Sequence, residues 1–80
     1  MTLQSIFSGA LAQVRRDFPD IGVDAITFNG AWKEFEKACM KASRNPRYSE
    51  LIGVEGPNIA RLCIIDSVLK SETAKLRATQ

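Results

Sequence analysis

The chain contains no histidine, which removes the side chain most often used as a general base or metal ligand near neutral pH. Cysteine is scarce as well: Cys39 and Cys63 stand alone, without the four ligands of a structural zinc site. As a nucleophile either thiol would need Lys, Asp or Glu as its base, and neither sequence neighbourhood resembles that of an activated cysteine. Each lies among apolar residues, as a small hydrophobe does, although a disulfide stays open if both face one core. The carboxylate pairs Asp20/Asp24 and Glu50/Glu55 read as solvated acids. The segment around Gly53, Gly56 and Asn58 lacks the lysine and hydroxyl residue of a phosphate-binding loop. The expectation is a protein that is not an enzyme and holds no cofactor or metal.

Long apolar runs are absent too, so no membrane span is expected. Met1 to Ala12 has no basic stretch ahead of an apolar one, which argues against a secretory signal and for a soluble protein made in the cytosol. A formal net charge of +2 is too small to mark a nucleic-acid surface by itself.

What is present is ordinary globular composition, 45% hydrophobic and 25% charged over 80 residues. A chain of this length builds one modest core and buries roughly 60–65% of its unfolded surface. Apolar surface in excess of that core points to assembly with a partner.

The spacing of Leu3, Ile6, Phe7, Ala10, Leu11 and Val14 predicts an amphipathic helix over 3–17. Thr2 serves as its cap and Pro19 as its stop. Gly9 either weakens the middle of this helix or admits another backbone. Residues 23–28 alternate and are rich in strand formers, which predicts a strand. Asn29-Gly30 then reads as a hairpin turn or as a helix start capped by Asn29. Residues 31–43 divide the evidence. Trp32, Phe35, Cys39 and Ala42 share a helical face, and periodicity favours helix over the weaker alternating pattern. Residues 43–49 read as a loop around Pro46. Residues 51–58 carry two glycines and a proline and read as at most a short irregular strand. Residues 59–65 read as an internal strand apolar on both sides. Together these give an α+β fold: one domain over 1–69, with 70–80 a tail that is flexible or ordered by a partner.

Trp32 and Phe35 belong to the core or a subunit contact. Arg44, Arg47 and Tyr48 are the first choice for an interaction patch, since arginine and tyrosine anchor interfaces. Lys70, Lys75 and Arg77 form a basic end able to touch phosphate.

The order of elements is similar to that of the small head–tail joining (connector) proteins of tailed bacteriophages. The residues that carry the resemblance are Val14 to Pro19 closing a helix, Ile26 to Gly30, a polar loop, a glycine-bearing stretch, and Arg61 to Ile65 followed by Asp66 to Leu69. It implies an N-terminal amphipathic helix packed on a small antiparallel sheet or partial barrel, with 27–30 a hairpin arm and 31–43 a returning strand. It also implies a structural role in the virion, after synthesis in the host cytoplasm. Several copies would form a ring beneath the portal, contacting portal and tail proteins and, non-specifically, DNA in the channel. The segment 43–56 would meet neighbouring subunits. The alternative from the residues themselves is a small nucleic-acid-binding or regulatory module using Arg15, Arg16, Arg44, Arg47, Lys70, Lys75 and Arg77.

Overall fold

The computed structural model describes residues 2–78. Three helices follow one another: α1 Leu3–Asp17, α2 Ala25–Ala42 and α3 Tyr48–Ala78. Among the described residues there is no strand, so the expected α+β fold, with its antiparallel sheet or partial barrel, is replaced by an all-helical one.

Helix α1 forms as its spacing predicts. The Thr2 hydroxyl accepts from the Ser5 amide at 3.1 Å, and Ile6, Phe7, Ala10, Leu11 and Val14 are its buried line. The Phe18 amide still bonds back to the Val14 carbonyl at 2.8 Å before Pro19 ends the helix.

The strand expected over 23–28 is instead the entry to α2. Asp24, in extended backbone, caps the helix by accepting from the Thr27 amide at 2.7 Å. Thr27, Ala31, Phe35 and Cys39 are buried and recur every four residues, so the helical face starts inside the segment whose β-branched residues suggested a strand. Asn29-Gly30, expected as a turn or a cap, lies within α2, and no described residue has positive φ. The helical reading of 31–43 holds through Ala42, and Ser43 caps the end. The returning strand and the hairpin arm implied by the resemblance are both absent.

The loop expected over 43–49 is shorter, 43–47, because Tyr48 and Ser49 already open α3. The Asn45 side chain accepts from the Arg47 amide at 2.9 Å, a local turn of the kind asparagine favours. Helix α3 then runs for 31 residues and absorbs both the irregular segment at 51–58 and the strand expected at 59–65. A short apolar run cannot be told from a buried helical segment by alternation alone. Here Ile52, Gly56, Ala60, Ile64 and Val68 are buried at four-residue spacing, which settles the period as helical. Pro57 sits inside the helix. Having no N–H, it leaves the Gly53 carbonyl without its usual partner. Residues 70–78, read as a tail, continue α3, while Thr79 and Gln80 lie outside the described residues.

A 31-residue helix is about 46 Å long, and the molecule measures 47 × 24 × 16 Å, so α3 sets its long dimension. Both other helices pack on α3. Helix α1 meets α3 at Gly56, where an added methyl would stand 3.5 Å from Ile6 side-chain atoms, in ordinary contact. Helices α1 and α2 meet through aromatics. The Phe7 ring lies edge-on to Phe28 and Trp32, with centroids 5.2 Å away in each case, and tilted against Phe35 at 5.8 Å. Such pairs add about 0.5–1.5 kcal/mol each beyond their burial.

Candidate interaction surface

The expected site residues fall into two groups at opposite ends of α3. Arg44 and Arg47 are exposed on the α2–α3 connection. Tyr48 beside them packs partly against the core, so its ring is committed to the fold rather than offered whole to a partner. Lys70, Lys75 and Arg77 lie on the far part of the same helix, more than about 30 Å along its axis from Arg47. The structure therefore does not bring the six together.

The distal group is largely engaged within the chain. The Lys70 ammonium lies 2.8 Å from Glu34 of α2 and 2.9 Å from Asp66. Its hydrogen bonds to Glu34 and Asp66 raise the Lys70 pKa far above its usual range. Hydrogen bonding from Lys70 lowers the Asp66 pKa in turn. Lys75 stands 3.7 Å from Glu72. A second inter-helix pair joins Arg61 to Asp17 at the end of α1, 2.9 Å apart. These exposed pairs are worth little individually, but they place α3 relative to both neighbours.

The cysteines gain no reactivity from the fold. Both are free, Cys39 buried and Cys63 half-buried. Burial pushes both thiols up, and the nearby Glu34 and Asp66 carboxylates push Cys63 further, which keeps sulfur in the less nucleophilic protonated form. Among the described residues no group of three or more potential ligands gathers as a metal site. None of the helices, over the described residues, is long and apolar enough to cross a membrane.

The most distinctive surface is one the sequence reading did not single out. The side of α3 turned away from the core carries Val54, Leu62, Leu69 and Leu76, exposed at 76%, 59%, 60% and 65%. Ile65, half-buried and packed in part against the core, borders this strip. The three leucines recur every seven residues, the interval at which a helix returns to nearly the same face. That repeat was available in the sequence. Strand-like alternation over 59–65, with both faces apolar, and the thin apolar content after Lys70 hide it. Helix α3 is thus apolar on two opposite sides, one filled by α1 and α2 and the other open.

Ile26, at 83%, and Met40, at 71%, are also exposed, but Lys33 and Lys37 separate them on α2 and they form no continuous strip. Compared with protein-family models, curated proteins and solved structures, the chain matches none, so this surface is interpreted from its own chemistry.

Proposed function

We propose that this chain is a non-catalytic structural subunit whose working surface is the outer side of α3. One observation carries the proposal: a strip of large aliphatic side chains, each more than half exposed over Val54, Leu62, Leu69 and Leu76, on a helix whose opposite side is already packed. Exposed aliphatic strips of this kind on small domains mark interaction sites. The absence of histidine and the raised pKa of both thiols support a binding role over chemistry.

The head–tail joining role leaned on a helix-and-sheet pattern that the fold replaces, and the proposal retains its coarser content, a subunit of a larger structure. The nucleic-acid reading has less support, since its cations are divided between the two ends of the molecule and several are paired with carboxylates. The test is size-exclusion chromatography of the epitope-tagged chain in extract of its native host. A species larger than the free chain, lost when Leu69 is changed to lysine, is the expected result. A free chain of monomer size in that extract, together with a purified chain that stays monomeric at high concentration, refutes the assembly role. Co-sedimentation with portal rings tests the joining role directly, and steep salt-dependent binding to duplex DNA would favour the alternative.

A further inference from the structure

Taking the outer side of α3 as the assembly surface, we infer that its occupant is a second copy of this chain, docked as a parallel helix pair in register. The leucines at 62, 69 and 76 occupy one position of a seven-residue repeat, and Asn58, Ile65 and Glu72 occupy the companion position four residues ahead of the next leucine. That alternation of three and four is the seam by which one helix accepts another of the same repeat. The like charges that this register brings together at Glu72 are offset by Lys75, 3.7 Å from it in each copy. Asn58 then lies opposite Asn58 of the second copy, where a polar side chain fixes register.

The charges flanking the seam are complementary to themselves. Arg61 borders the strip on one side and Asp66 on the other. In a parallel pair the residue flanking the seam on one helix reaches the opposite flank of its neighbour five positions further on, which sets Arg61 against Asp66 of the second copy, twice by symmetry. Both side chains retain capacity for this. The Arg61 guanidinium meets Asp17 through one nitrogen and is 32% exposed, while Asp66 meets Lys70 through one carboxylate oxygen and is 51% exposed. Reversing one helix brings like flanks together and gains neither ion pair.

The exposed aliphatic side chains offer on the order of 400 Å² per copy, so a pair hides about 800 Å² from them alone and reaches the roughly 1,000 Å² of a weak specific interface only with its flanks. Because α3 is already held as a helix by α1 and α2, association does not bear the cost of helix nucleation. The result is a modest dimer with Kd of about 1–100 μM.

Sedimentation velocity of the purified full chain up to about 500 μM tests this, a range that spans the expected Kd. The wild type should pass from monomer to dimer, and Leu69→Lys should weaken the dimer at least about 30-fold with an unchanged far-UV circular dichroism spectrum. Leu62→Lys serves the same purpose should Leu69→Lys not fold. Ile26→Lys, on α2, should leave dimerisation unchanged. In a Cys63→Ser background, Leu62→Cys and Leu69→Cys should each form an intermolecular disulfide on mild oxidation, since only a parallel pair in register sets both residues against their own copies. A wild type that stays monomeric throughout, a dimer indifferent to both lysine variants, or a dimer without the crosslink overturns the inference. A monomeric purified chain whose native assembly still depends on Leu69 removes the second copy and leaves the assembly surface standing.

Discussion

Gly9 offers a direct measure of how far local propensity governs this fold. It lies in the interior of α1, and a methyl group built on it meets nothing within 4 Å. The position therefore does not serve a close approach, and the glycine only weakens the helix. Gly9→Ala should stabilise the protein by about 0.5–1 kcal/mol, partly by restricting the unfolded chain. At about 4–8 °C per kcal/mol for a domain of this size, the melting temperature should rise by roughly 2–8 °C. Gly56 is the internal contrast. The same methyl there would stand 3.4 Å from Ile52 and 3.5 Å from Ile6, so Gly56→Ala fits in ordinary contact, whereas Gly56→Leu overpacks the α1–α3 contact and should cost about 1–3 kcal/mol. Thermal unfolding followed at 222 nm reads all three. A lower melting temperature for Gly9→Ala would refute the reasoning, because it would mean that another surface occupies the space above that residue.

Phe35 is fully buried, and Phe35→Ala should cost about 3–5 kcal/mol in urea titration. Leu11→Asp, which puts a charge on the buried face of α1, should abolish the cooperative transition altogether. Pro57→Ala restores an N–H to the middle of α3 and should stabilise the protein by about 1–2 kcal/mol, with slower amide exchange around Gly53. Asp24→Ala removes the α2 cap and should lower the melting temperature at pH 7. The Thr27 amide holds the Asp24 carboxyl below its ordinary value of 3.8, so the stabilisation is present above that value and lost as pH falls through the lower folded pKa. The difference between wild type and Asp24→Ala should therefore vanish in strong acid.

Helix α1 was legible because its apolar residues, its cap and its terminating proline all agree. Trp32, Phe35 and Cys39 gave the body of α2, but Val23, Ile26 and Thr27 obscured its start, since β-branched residues over six positions satisfy an alternating pattern as well as a helical one. The Asp24 cap was the missing signal, an acid three residues ahead of an amide it can accept from. Helix α3 was hidden more thoroughly. Gly53, Gly56 and Pro57 each argue locally against a helix, yet packing on α1 rewards a small residue at 56. Apolar residues on two sides of α3 cancel the contrast by which a surface helix announces itself. The candidate surface is hidden for the same reason: a strand over 59–65 ends between Leu62 and Leu69 and so breaks the seven-residue recurrence. The basic and aromatic residues chosen instead were sound by residue type, but the length of α3 separates them, and the fold itself uses Tyr48 and Lys70.

Because α1 and α2 lean mainly on α3 and meet each other chiefly around Phe7, neither helical hairpin is a self-sufficient piece. A nascent chain that has emerged only as far as Pro46 would have the aromatics of α1 and α2 but no floor beneath them. Its buried strips could close only once most of the last helix had been synthesised, so folding should come late and all at once rather than in stages.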